Sequence, residues 1–232
     1  MSALQEWDRD GAIGEAAAAL DGGSRGDFLR RAAVAGGAFA GAGAFMGALP
    51  SLASALTGRD TDILNFALTL EYLEATFYAE AVHGGALSGR TLQFAKVVAG
   101  HEAMHVKALK QVLGSAAVAK PRFNFRGTTS NQAKFQQTAI VLEDTGVSAY
   151  KGQAPRIQAT AILKAALSIH TVEAHHASWI RHIAGVIPAP VAFDKALTMQ
   201  QVLAAVASTH FIVSSSKPPP ARPHPHPPRF TG

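Results

Sequence analysis

From Thr61 onward, apolar residues recur at helical spacing in four long stretches and one short one. Ile63 to Val82 carries a stripe through Phe66, Leu70, Leu73 and Phe77, and Gly84-Gly85 ends it. Leu92 to Leu113 forms a second helix stopped by Gly114. The third runs from Gln132 to Tyr150, with Gly146 as a weak point, before a turn at Gly152 to Pro155. Ala159 to Ile183 is the fourth, closed by Gly185 and Pro188, and Thr198 to Ser208 reads as a short fifth helix capped by Thr198. No strand pattern of useful length appears. The expectation is an all-α protein: an antiparallel four-helix bundle with a long crossover between helices two and three, and a short C-terminal fifth helix. In the crossover, Phe123 and Phe125 are placed to pack back on the bundle.

Glutamates interrupt this pattern on its apolar side. Glu71 lines up with Leu64, Leu68, Ala75 and Val82, and Glu102 with Ala95, Val98, Val106 and Leu109. Glu143 falls on the stripe of Ala139, Ile140 and Val147, and Glu173 on that of Ala166, Ile169, Ala177 and Ile180. A carboxylate buried alone would have to neutralise or find a partner, and these faces offer no Lys or Arg at matching positions. A divalent metal is the natural counter-charge.

The four glutamates also belong to a repeat. Glu71 is followed by Tyr78 and then by Glu102-Ala-Met-His105; Glu143 is followed by Tyr150 and then by Glu173-Ala-His-His176. Helical residues three apart point within about 60° of each other, so Glu102 with His105, and Glu173 with His176, can each reach one centre. Four carboxylates and two imidazoles are the inventory of a carboxylate-bridged two-metal site in a four-helix bundle. Oxygen-rich ligation with one imidazole per ion suits two Fe ions, with Mn as the second choice, better than Zn. Glu74, three residues from Glu71, competes with it but has no Tyr at plus seven. His101, His170, His175 and His182 are read as supporting or surface groups, and Glu80 and His83 as solvated.

The first 55 residues look unlike the rest. Ser24-Arg-Gly-Asp-Phe-Leu-Arg-Arg31 leads into an uncharged Ala/Gly-rich stretch ending at Ala53-Ser-Ala55, a cleavage signature. It resembles a twin-arginine export signal with Gly26 where the second arginine belongs, so residues 1–55 are expected to export the protein to the periplasm, cell envelope or exterior. An uncleaved membrane anchor is the alternative. Those residues hold 4 basic and 6 acidic side chains of the chain's 21 and 16, leaving 17 basic against 10 acidic beyond them. The basic residues are scattered, without the cluster or aromatic interleaving that nucleic-acid binding needs. With no cysteine there is no disulfide to report on compartment. Residues 60–213 are the expected folded domain; residues 214–232 are a Pro/His-rich tail without apolar content, expected to be disordered, whose His224 and His226 lack fixed geometry.

The chain resembles the ferritin-like superfamily, most closely exported bacterial ferritin-like domain proteins, over roughly residues 60 to 185. The likeness is carried by the segments from Ile63 to Tyr78, His101 to His105, Leu142 to Tyr150 and Val172 to His176. It implies Glu71 and Glu143 as ligands from helices one and three, Glu102 and Glu173 as bridging carboxylates, and His105 and His176 as terminal imidazoles. Tyr78 and Tyr150 would steady the ligands from behind. The implied activity is redox chemistry with oxygen or peroxide, in iron handling or oxidative-stress protection, and a homo-oligomer is compatible with it. Two other readings remain: a non-catalytic exported bundle with a binding or envelope stress role, and a zinc metalloprotease using the H-E-x-x-H spelling of His101 to His105. The second leaves the repeat copy at Glu173 unexplained.

Overall fold

The computed structural model describes residues 52–53 and 56–214. The proposed export signal, apart from Leu52 and Ala53, and the tail beyond Ser214 lie outside the described residues. Helix α1 spans Gly58–His83, α2 Gly89–Leu113, α3 Gln132–Gln153, α4 Thr160–Ile183 and α5 Met199–Thr209. The protein is an all-α, antiparallel four-helix bundle with a short C-terminal fifth helix. α1 packs along α2 and α3 along α4; contacts of α2 with α4 and of α1 with α3 close the bundle, and α5 lies on α3. No described helix is long and apolar enough to cross a membrane.

α1 starts five residues earlier than its apolar stripe. Thr57 and Asp60 form a capping box: the Asp60 N–H donates to Thr57 Oγ1 at 3.1 Å, and the Thr57 N–H to Asp60 Oδ2 at 3.4 Å. Asp60 also accepts from the backbone N–H groups of Gln158 at 2.8 Å and Ala159 at 3.3 Å, fastening the start of α1 to the turn between α3 and α4. At the other end of the hairpin pair, Asn131 caps α3 through the Lys134 N–H.

The crossover supplies one strand of the only β pairing among the described residues. β1, Arg122–Phe123, pairs antiparallel with β2, Ile212–Ser214, and the Asn124 N–H donates to the Phe211 carbonyl at 2.8 Å. Strands of two and three residues are too short to show an alternating pattern in sequence. Their effect is to press Phe125 into the core, where its ring meets Phe77 and Phe211 edge-on, both at 5.3 Å. Phe77 stacks on Phe135 at 5.1 Å, and Tyr78 meets Phe94 and Phe135 edge-on at 5.8 Å. This aromatic cluster lies at the Tyr78 end of the site and packs that ring against Phe77, Phe94 and Phe135. Along α3, Gly152 admits the backbone of Leu197: a Cβ there would sit 1.8 Å from the Leu197 carbonyl oxygen. The Leu197 N–H donates to the Ser148 carbonyl in the same contact.

Candidate metal centre

Each of the four helices turns a carboxylate inward at mid-height. Glu71 from α1, Glu102 from α2, Glu143 from α3 and Glu173 from α4 are all fully buried. One helical turn along α2 and α4, His105 and His176 face the same space. His105 Nδ1 lies 3.2 Å from Glu71 Oε2, 3.1 Å from Glu102 Oε2 and 3.1 Å from Glu173 Oε1. His176 Nδ1 lies 3.1 Å from Glu102 Oε1, 3.3 Å from Glu143 Oε2 and 4.0 Å from Glu173 Oε2. Glu102 and Glu173 therefore send one oxygen to each imidazole, while Glu71 and Glu143 each serve one.

These residues form two groups, Glu71, Glu102, His105, Glu173 and Glu102, Glu143, Glu173, His176, whose ligand atoms lie within 4.8 Å of one another. The donor set fits a pair of metal ions on two counts. Two ligand atoms each about 2.1 Å from one ion, at right angles, are about 3 Å apart, close to the separations seen around each Nδ1. Moreover, Glu102 Oε1, Glu143 Oε2, both oxygens of Glu173 and His176 Nδ1 are buried without a hydrogen-bond partner. Buried polar atoms in that state call for something to satisfy them. One imidazole proton cannot serve three oxygens at once; an ion can.

The supporting groups cross between the halves. Tyr78 of α1 donates to Glu143 Oε1 on α3, and Tyr150 of α3 donates to Glu71 Oε1 on α1 at 2.5 Å. Burial and the carboxylate beside each hold both phenols well above their usual range, so they remain donors. A residue absent from the expected ligand set supports the other side: His101 Nδ1 stands 2.8 Å from His176 Nε2, with the rings stacked at 5.1 Å. Its sequence signal was its place one residue before Glu102, which the repeat does not share. His101 and His105 thus do not meet at one centre, and the metalloprotease reading has no geometric support.

Without a metal, the electrostatics are those of a crowded carboxylate site. Burial pushes the Glu71 carboxyl up to about 7, with His105 opposing. Burial and the charge of Glu102 raise Glu173 well above the carboxylate range, and burial raises Glu143 against the pull of His176. Burial works on Glu102 in the same direction, but its contacts with His105 and His176 outweigh it and hold that carboxyl well below its usual range. The imidazoles answer in kind. Burial opposes their charge, yet Glu71, Glu102 and Glu173 raise His105 well above its usual value, and Glu102 and Glu143 carry His176 up to about 10. Metal would therefore displace protons from both rings.

Glu74 is buried, 4 % exposed, but belongs to neither group. Burial and the charge of Glu173 raise its carboxyl well above the usual range. His170, His175 and His182 stay outside the cluster, and Glu80 is exposed but accepts from Thr129 Oγ1 at 2.6 Å.

A helical bundle with a repeated Glu and Glu-x-x-His set on facing helices defines a carboxylate-histidine bundle protein. Residues 59–186 match the ferritin-like domain family, and the chain belongs to that family. A comparison with curated proteins finds no match.

Proposed function

We propose that the protein holds a carboxylate-bridged pair of iron ions, with manganese as the alternative, and uses it for redox chemistry with oxygen or peroxide. The observation that carries this reading is the sharing of Glu102 and Glu173: each offers one oxygen to the His105 group and the other to the His176 group. Four carboxylates balance the charge of two divalent ions, which answers the burial of four acids without a Lys or Arg. Bound iron would supply the electron exchange with oxygen or peroxide that no side chain of the site can perform.

The chain's own part is to bind, orient and shield. His105 and His176 would hold the two ends, Glu102 and Glu173 would span between them, and Glu71 and Glu143 would complete each end. Tyr150 and Tyr78 keep one oxygen of those outer glutamates occupied, leaving Glu71 Oε2 and Glu143 Oε2 turned to the centre. Full burial of the four carboxylates excludes bulk water and strengthens every charge interaction inside. The reading includes export by residues 1–55 and a role in iron handling or oxidative-stress protection. Metal analysis of the full chain after loading with Fe(II) or Mn(II) tests it: two ions per chain are expected. Fewer than one under both conditions would refute it in favour of a bundle that works without metal.

A further inference from the structure

The repeat gives the two ion groups the same kinds of ligand but not the same surroundings. His176 turns Nδ1 to the carboxylates and Nε2 to His101, whose Nδ1 lies 2.8 Å away with the ring planes 17° apart. His176 Nδ1 is buried without a hydrogen-bond partner, and the residue is only 2 % exposed. The two nitrogens are thus already divided, one to the centre and one to His101. An ion on Nδ1 needs the lone pair there, which leaves the ring proton on Nε2. His101 Nδ1 then accepts that hydrogen bond, with its own proton on Nε2.

His105 has no such neighbour. Its Nδ1 likewise faces Glu71, Glu102 and Glu173, but no hydrogen bond involves its Nε2 among the described residues, and its side chain stays 11 % exposed. The sequence accounts for the difference. The residue before Glu102 is His101, whereas the residue before Glu173 is Val172, which offers no acceptor. The ligands of the two halves match, and so do their tyrosines, each bonded to one outer glutamate. The supports of their imidazoles do not.

We propose that His101 is a positioning residue for His176 alone and makes the two ion sites unequal: the Glu102, Glu143, Glu173, His176 group holds its ion more tightly than the Glu71, Glu102, Glu173, His105 group. This inference rests on the di-metal reading above. The hydrogen bond fixes the tautomer and ring plane of His176 and makes its Nδ1 a stronger donor; removing such a partner costs about 10- to 100-fold in metal affinity. The ion at His176 is therefore the first to bind and the last to leave.

The test is anaerobic Fe(II) titration of the full chain against a competitive chelator, with total iron measured in parallel. Wild type is expected to bind two irons in two steps at least tenfold apart, His176→Ala to lose the tighter step and His105→Ala the weaker one. His101→Phe keeps a flat ring beside His176 but has no acceptor, so the tighter step should weaken at least tenfold while the weaker stays within about twofold. His101→Gln accepts again through Oε1 and should recover most of the tighter step. Should His101→Phe fail to fold, His101→Ala at this exposed position is expected to show the same selective loss. Two irons with wild-type affinities in His101→Phe, or in His101→Ala where that variant replaces it, would overturn the inference while leaving the di-metal reading intact. Equal weakening of both steps would overturn it too, as the mark of a residue that only packs α2 against α4. A single two-iron step in wild type, or no recovery in His101→Gln, has the same consequence. Fewer than one iron per wild-type chain would sink the di-metal reading and the unequal sites with it.

Discussion

Glu102 and Glu173 occupy equivalent places in the repeat, yet without metal they should differ in how far conversion to glutamine destabilises the fold. Glu102 is held ionised by two imidazoles, at 3.1 Å from each Nδ1. Glu102→Gln would leave both charged rings facing a neutral amide, and breaking a buried ion pair on one side costs about 3–5 kcal/mol. Glu173 is pushed toward its neutral form by burial and by the charge of Glu102. Glutamine is nearly its isostere and likewise neutral, and should cost about 1 kcal/mol or less. For a domain of this size, roughly 2–4 °C per kcal/mol predicts that metal-free Glu102→Gln melts roughly 6–20 °C below wild type and Glu173→Gln within about 4 °C. With metal the two variants share one defect, because an amide cannot bridge two ions as a carboxylate does. Wild type at a free metal concentration 100 times Kd should gain about 2.7 kcal/mol, and both variants should lose most of that gain. Thermal melts with chelator and with Fe(II) or Mn(II) give all six values. Equal metal-free melting of the two variants would refute the proton assignment, and a wild-type metal shift in either would refute the bridging role.

Three further outcomes are expected. Tyr150→Phe removes the hydrogen bond to Glu71 and should weaken metal binding about 10- to 100-fold without abolishing it, as a competitive chelator titration would show; unchanged affinity would contradict the role given to the phenol. For the metal-free protein, Glu71 raised to about 7 and His176 raised to about 10 bind protons in the fold that the unfolded chain has released, so stability falls as pH rises from about 4.5 through 10. The Glu71 part alone amounts to about 3 kcal/mol, and pH-stat measurement should detect proton release on metal loading at pH 7; a flat metal-free profile would count against these assignments. Asp60→Ala removes the capping box and strands the Gln158 and Ala159 N–H groups, costing about 2–3 kcal/mol with metal stoichiometry unchanged, checked by thermal melts and metal analysis.

The inward glutamates were legible in the sequence because both conditions they satisfy are local. Each lies on an apolar stripe of its own helix, and Glu102 with His105, and Glu173 with His176, share a face by spacing alone. The crossing of the tyrosines was not legible. Spacing places Tyr78 on the helix of Glu71, but only the side-by-side packing of α1 and α3 hands it to Glu143 instead. His101 is a similar case, since its contact with His176 joins α2 to α4 over a sequence separation of 75. Asp60 was half visible: Thr57-x-x-Asp60 is a local capping pattern, whereas its bonds to Gln158 and Ala159 depend on where the α3–α4 turn lands. The strands were too short for any pattern to announce them.

The exchange of tyrosines has a consequence for how the site and the fold depend on each other. The α1/α2 hairpin alone contributes Glu71, Glu102 and His105 but lacks Glu173, and its Tyr78 has no carboxylate to hold. The α3/α4 hairpin is incomplete in the same way, missing Glu102 and leaving Tyr150 without Glu71. Neither half can present a finished ligand group, so both groups come into being only when the two hairpins dock. A metal ion that binds the docked state and not the separated halves adds its binding free energy to the stability of the whole bundle. The buried acids that weaken the metal-free fold would then become, once neutralised by metal, what joins its halves. The aromatic cluster around Tyr78 and the Asp60 tie at the α3–α4 turn hold the hairpins together in the meantime, so that the ligands already face one another before any ion arrives.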